Sequence, residues 1–311
     1  MNTIKLPPLI IICCILFINA CAPTVQVPVM KPAEINFKDK QRMTIGEFEG
    51  NIGRMTSDVL TSKIFSNGYF QVVERQNIGT VMGEQQLTRM GAVDERSAIR
   101  LGKLTGAAVL VYGSSYADFD IDIDKNEYKE KKVRHITYKK KATAKVTANF
   151  KVIDMTTGKL MAVKMITKEA TDETSETDHF PPDPDDDALI SKALDLVVDE
   201  FIKTVAPYKE LVTVEFASND DNIQEIEAGI NSCKIGRWND AIDQFRVATK
   251  KYPNNFSAWF NLGIAYEYSF MFQEAEDAIA QANRIKPDDK CIKEIGNIRQ
   301  MAMERKRLDI Q

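Results

Sequence analysis

The stretch 107–124, AAVLVYGSSYADFDIDID, and its counterpart 141–154, KATAKVTANFKVID, decide the fold. Ala107–Tyr112 is a continuous apolar run, the pattern of a central strand covered on both faces. From Asp118 to Asp124, the four aspartates Asp118, Asp120, Asp122 and Asp124 fall on one side of an extended chain. Phe119, Ile121 and Ile123 fall on the other. The return arm, Lys141–Ile153, alternates in the same way. Ala142, Ala144, Val146, Ala148, Phe150 and Val152 share one side; Lys141, Thr143, Lys145, Thr147 and Lys151 share the other. Aspartates facing lysines across a hairpin favour pairing by about 0.2–1 kcal/mol per pair. Thr156-Thr157-Gly158-Lys159 reads as a turn, and Leu160–Ala170 as the next strand.

Moving outward, Arg42–Phe48 reads as a strand and Asn51–Ser66 as a helix stopped by Asn67-Gly68. Tyr69–Arg75 is a second strand, Gln76–Met90 a second helix, and Asp94 caps a third helix that Gly106 ends. On the far side, an acidic loop (172–187) precedes an amphipathic helix over Ala188–Val205. Its Ile190, Leu194, Val197, Phe201 and Val205 point inward. Strands alternating with helices make residues 41–216 an α/β domain, a mixed sheet with flanking helices.

The amino end is a targeting segment. Lys5 precedes the ten-residue apolar run Leu9–Ile18, far short of the roughly 20 residues of a spanning helix but right for a secretory leader. Ile18-Asn19-Ala20-Cys21 resembles the bacterial lipobox, which makes 1–20 a lipoprotein signal peptide and Cys21 the acylated residue. Each buried lipid CH₂ contributes about 0.8 kcal/mol, so two or three chains hold a protein on a membrane without any spanning helix. Ala22 in place of an aspartate implies, by the same resemblance, the periplasmic face of the outer membrane. Residues 21–40, with Pro23, Pro28 and Pro32, read as a lipidated, extended tether.

The carboxyl-terminal part, 220–311, repeats with a period of 34, the tetratricopeptide length. Trp259, Leu262, Gly263, Tyr266, Ala275, Ala282 and Pro287 follow that pattern. Subtracting 34 recovers Gly229, Ala241, Phe245, Ala248 and Pro253. The expectation is an all-α tetratricopeptide solenoid of two repeats, closed by a capping helix over 290–309 with Ile292, Ile295, Ile298 and Met301 inward. In that repeat geometry the first helix of each pair lines a concave groove. Ile226, Ile230, Lys234, Phe260, Ile264 and Tyr268 are the candidate partner-binding residues. Cys233 and Cys291 stand almost two repeats apart and are expected to stay unpaired, because a disulfide needs Cα atoms within about 7 Å.

A family resemblance joins these pieces. Phe70-Gln71-Val72-Val73-Glu74-Arg75, then Glu84-Gln85-Gln86-Leu87 and Gly91, then 101–114 (LGKLTGAAVLVYGS), resemble the CsgG family. Phe150-Lys151-Val152-Ile153-Asp154 with Thr157-Gly158-Lys159 is similar to that family's later hairpin. The resemblance covers about residues 41–205. It implies an outer-membrane lipoprotein of the curli export type; penicillin-binding-protein activator lipoproteins share the same α/β fold without making a pore. In the pore-forming members two hairpins enter a transmembrane barrel. The corresponding segments here, 118–150 and 168–187, are strongly charged, whereas a lipid-facing strand surface must be apolar.

Little in the chain suggests chemistry. His135 and His179 lie in charged segments without a nucleophile motif nearby and read as solvated. DFDIDID lacks the glycine and the bidentate glutamate of a calcium loop, although 172–187 is acidic enough to hold calcium weakly. A net charge of −4 gives no electrostatic reason to expect nucleic acid. The expectation is a non-catalytic periplasmic assembly or adaptor lipoprotein, in envelope biogenesis or curli-like export, with no metal and no cofactor. Its partners are other envelope proteins bound through the tetratricopeptide groove, the membrane through the lipid, and a possible second copy. A pore-forming secretion channel subunit is the alternative, and an envelope hydrolase a more distant one.

Overall fold

A computed structural model describes residues 22–37, 40–73, 98–100, 102–103 and 106–309. Cys21, the helix expected over 76–90 and the cap at Asp94 lie outside the described residues. The chain divides into two compact units. One holds Met30–Glu210 and the residues from Glu304 onward; the other holds Leu211–Met303 with the segment up to Val29.

The first unit is built on a five-stranded sheet. Its strands are β2 (Arg42–Glu49), β3 (Gln71–Val72), β4 (Val109–Glu130), β5 (Val133–Asp154) and β6 (Leu160–Thr177), in the order β3-β2-β4-β5-β6. β2 runs parallel to both neighbours, and β4, β5 and β6 run antiparallel. Helix α1 (Gly53–Asn67) ends at Gly68, whose φ of 77° lets its N–H reach the Ile64 carbonyl. Helix α2 (Asp186–Val205) starts where the Asp185 carboxylate accepts the Ala188 N–H at 3.0 Å. Asp186 and Asp187 in its first turn suit the positive end of the helix dipole.

Alternation places the helices. On β5 the column Ala142, Ala144, Val146, Ala148, Phe150 and Val152 is fully buried, and α2 covers it with Leu194, Val197, Val198 and Phe201. Small side chains along the column leave room for a helix to lie close. Phe150 stacks on Phe201 at 4.0 Å between centroids and meets Phe48 of β2 edge-on at 5.4 Å. Gly113, opposite Phe150, has no room for a side chain, since a Cβ there would sit 1.7 Å from the Asn149 carbonyl oxygen.

Three expectations about this unit change. The apolar run and DFDIDID form one 22-residue strand, paired without a register break to an equally long β5. The two are joined by Lys131 and Lys132, both at positive φ (46° and 69°), as a two-residue hairpin turn requires. β6 continues through Thr177, so Thr171–Thr177 is strand rather than acidic loop; its acids stand beside the β5 lysines, with Lys139 2.6 Å from Glu173. At the β5–β6 turn, Asp154 accepts bonds from the Thr156 N–H (2.8 Å) and the Thr157 hydroxyl (2.9 Å), with Lys40 at 3.3 Å. Burial opposes ionisation there, but these partners outweigh it and hold the carboxyl below its ordinary value.

The second unit is mostly helical. Its helices are α3 (Gln224–Lys234), α4 (Trp238–Lys251), α5 (Phe256–Glu267) and α6 (Phe272–Ile285), followed by α7 (Asp289–Asp309), which belongs to this unit as far as Met303. The proline-bearing segment expected to be a free tether instead supplies strand β1 (Thr24–Lys31), which pairs with β7 (Tyr208–Glu215). Val27, Val29, Val214 and Phe216 are buried in one cluster with residues of α3 to α7. Burying those valines is the physical reason the segment is ordered.

The two helix pairs repeat at 34 residues in detail. Adding 34 to both ends of α4 gives both ends of α6. The residues before them, Arg237 (φ −89°, ψ 66°) and Met271 (φ −92°, ψ 66°), share one conformation. Gly229 lies against the Phe245 ring and Gly263 against Ile279, again 34 apart. Gly236 takes φ 75° at the turn, and the equivalent residue in the second pair is Phe270, at φ 61°. In α7, Ile298 and Met301 are buried as expected, but Ile292 is 67% exposed and Cys291 takes the inward place.

Two stability measurements follow. Phe150→Ala removes the ring that joins β2, β5 and α2, and should cost about 3–5 kcal/mol in chemical denaturation; a loss under 1 kcal/mol would contradict this packing. Phe270→Gly relieves a left-handed conformation worth about 1–2 kcal/mol, less the entropy cost of glycine. Its thermal midpoint should rise by roughly 2–4 °C, and a fall would contradict the equivalence of the two turns.

Candidate functional site

The helical unit carries the residues singled out for partner binding. Ile226, Ile230, Phe260 and Ile264 are all buried, at 4% exposure or less, in the cluster that also holds Val27, Val29, Phe216, Cys291 and Ile298. These four side chains are core and not an open groove. The β1–β7 valines and α7 supply apolar partners in that cluster. Lys234 is exposed. Tyr268 is partly buried, with its ring stacked on Trp238 at 5.1 Å, and burial raises its phenol above the ordinary value.

The open concavity of this unit lies elsewhere. A cleft of about 1020 Å³ is bounded by 217–225, by 251–257 at the α4–α5 turn, and by residues near the α6–α7 turn. Its floor is pinned by Asn261, whose buried side-chain amide accepts the Ala217 N–H (2.8 Å) and donates to the Ala217 carbonyl (3.1 Å). Asn219 makes the same two-way bond with Ile223, at 2.8 Å each way. On the rim, Asn255 donates to Asp221 (2.7 Å) and Lys251 pairs with Glu225 (2.8 Å). The Lys251 hydrogen bond holds the Glu225 carboxyl below its ordinary range. Lys286 lies 5.7 Å from the Phe256 ring centre. The cleft is therefore lined by side-chain amides, paired charges and the aromatic residues Tyr252 and Phe256. Sequence reasoning missed it because its parts come from three turns, which carry no periodic signal.

In the first unit the three long strands form a charged face. Register places Asp118, Lys145 and Glu169 in one row and Asp122, Lys141 and Glu173 in another. Two of the β5 lysines turn to β6, with Lys145 3.6 Å from Glu169 and Lys139 2.6 Å from Glu173. His135, expected to be solvated, lies with Nδ1 2.7 Å from Asp178 and its ring stacked on Tyr128. His179 is exposed. Across 178–183 the acidic segment folds back, with Phe180 stacked on Tyr138 at 4.2 Å and Thr174 donating to the Pro182 carbonyl. Among the described residues no group of three or more His, Cys, Asp or Glu could hold a metal ion. Nor is any described helix long and apolar enough to cross a membrane.

The family model described as "Curli production assembly/transport component CsgG" matches residues 18–180, more than half of the chain. The chain belongs to the CsgG family. No curated protein matches it. Among solved structures it is similar to the LpoB C-terminal domain from Salmonella enterica, at 14% identity and TM-score 0.26, covering 41% of this chain and 82% of that one. Lipoprotein GNA1162 from Neisseria meningitidis matches at 11% identity and TM-score 0.28, covering 51% and 96%. A putative neuraminyllactose-binding hemagglutinin homolog from Helicobacter pylori matches at 8% identity and TM-score 0.30, covering 57% and 90%. The CsgG match spans the motifs 70–75 and 101–114 and the β4–β5 hairpin, and stops before α2.

Cys233 and Cys291 are free and buried in this member of the CsgG family. Burial pushes the Cys233 thiol up to about 12 and Cys291 to about 11. At pH 8 the reactive thiolate is then about 10⁻⁴ and 10⁻³ of each, against about a quarter for an unperturbed thiol. In a mature chain carrying Cys21→Ser, a thiol reagent should label neither cysteine within minutes while the protein is folded. Both should react at once in denaturant without reductant. No labelled cysteine after denaturation would reveal a disulfide and overturn the helical packing described above.

Proposed function

We propose that this CsgG-family protein is a non-catalytic envelope lipoprotein that assembles or positions other envelope proteins. It is held by acylated Cys21 at the periplasmic face of the outer membrane. The helical unit works as a two-repeat tetratricopeptide module. The observation that carries this reading is the 34-residue repetition of caps, turns and glycine contacts in α3 to α6. Such helix pairs present a fixed surface for polypeptide, and here the cleft beside Asp221, Glu225, Lys251 and Phe256 is the surface left open.

The curli-type channel is the competing reading within the family. It would place strands from 118–150 and 168–187 against lipid. One face there carries Asp118, Asp120, Asp122, Asp124, Lys139, Lys141 and Lys145; the other carries Lys125, Lys140, Asp172 and Glu176 towards the hairpin end. A charged side chain facing lipid at the bilayer midplane costs up to about 2–4 kcal/mol, which favours an aqueous setting for this arm.

Two measurements test the proposal. Cys21→Ser should move the protein from the membrane to the soluble fraction, and the wild type should show globomycin-sensitive processing; an unchanged membrane fraction would end the anchor reading. The same lipid-less chain should be extracted without detergent as a monomer or small oligomer. A ring that requires detergent would replace the adaptor with the channel.

A further inference from the structure

Among the described residues, β4 is paired on only one side for more than half its length. Its ladder with β2 ends at Glu49–Ser114, whereas its ladder with β5 runs to Glu130. Just past the end of β2, Asn51 substitutes for a strand. Its side chain donates to the Ala117 carbonyl (2.8 Å) and accepts the Ala117 N–H (2.9 Å). Both backbone groups of Ala117 thus point to the side opposite β5. Strand alternation then sends the N–H and C=O of Phe119, Ile121, Ile123, Lys125, Glu127 and Lys129 to that same edge. Among the described residues, nothing pairs with them.

The side chains along this edge have a definite character. Asp118, Asp120, Asp122 and Asp124 are exposed, stand on one face, and make no ion pair among the described residues. Of the β5 lysines beside them, Lys139 and Lys145 pair with Glu173 and Glu169 of β6. On the opposite face the same stretch offers Phe119, Ile121 and Ile123, the last half exposed.

We propose that the open edge of β4 from Phe119 to Lys129 takes an extended basic segment of another protein as an added strand. Lysine or arginine at alternate positions would meet the aspartates, and valine or isoleucine between them would cover Phe119, Ile121 and Ile123. Charge decides against a second copy of this chain. A two-fold antiparallel pairing of β4 with itself brings residues of equal parity together, so the aspartates would meet Asp124, Asn126, Tyr128 or Glu130. The free edge of β6 is no better, since Glu169 and Glu173 lie on that same face. A strand addition supplies main-chain bonds for affinity and alternate side chains for specificity. The β4 edge is separate from the cleft of the helical unit, so this inference does not rest on the adaptor reading.

The test uses the mature chain with Cys21→Ser and a fluorescent heptapeptide of alternating lysine and valine, at about 0.15 M salt to screen diffuse attraction. Saturable binding is expected. The same peptide N-methylated at every amide keeps its charge but can donate no main-chain hydrogen bond along either edge, and should bind at least ten-fold more weakly. The variant Asp118→Asn/Asp120→Asn/Asp122→Asn/Asp124→Asn should weaken the unmodified peptide at least ten-fold. On the unsubstituted acidic edge, amide exchange at Phe119, Ile121, Ile123 and Lys125 should slow when peptide is added. Equal binding of the N-methylated peptide, equal binding to the variant, unchanged amide exchange or no saturable binding would each overturn the proposal.

Discussion

The stacked rings of Phe150 and Phe201, closed edge-on by Phe48, join the strand that anchors the parallel part of the sheet, the longest antiparallel ladder and the covering helix. Everything that positions the arm follows from this contact. With α2 seated over the alanine-rich face of β5, that face is dry for half its length. The distal half, which no helix among the described residues reaches, must then solve its own solubility. It does so with charge: columns of Asp, Lys and Glu on adjacent strands. Each surface pair contributes little by itself in water. Their collective effect is to hold register, because a one-residue slip would bury lysines and expose alanines.

That charge has a second consequence. Among the described residues the three-stranded arm has two long open edges, and open edges invite unwanted pairing. Aspartates on β4 and glutamates on β6 repel both self-pairing and edge-to-edge contact between copies. Acidic edges deter like partners but leave the backbone groups available to a strand of opposite charge. The protection against aggregation and the capacity for selective strand addition are one feature seen from two sides.

The helical unit illustrates how a repeat tolerates local strain. Gly236 adopts the left-handed turn at little cost, while Phe270 adopts it at the same point of the second pair, its ring 6.2 Å from Phe272. Repetition of caps and contacts over-determines the turn, so the unfavourable residue conforms. The β1–β7 strands add valines to the same buried cluster, which is how a unit of two helix pairs and a final helix completes a core.

Local pattern was enough to place strand at 42–48, 107–112, 118–124 and 141–153, helix at 51–66 and 188–205, and the 34-residue period, because period-2 alternation, caps and glycine stops act within a few residues. The motifs at 70–75 and 101–114 were likewise legible and carry the family. The tertiary structure alone decided the rest. Thr171–Thr177 looks like a solvated acidic loop until the β5 lysines stand beside it. Residues 24–31 look like a tether until Val27 and Val29 find the helical core. Ile226, Ile230, Phe260 and Ile264 look like a groove until that same core closes over them. In each case sequence supplies a side chain's preference, but whether a face meets water or protein depends on segments distant in the chain, and burial is settled only when they arrive.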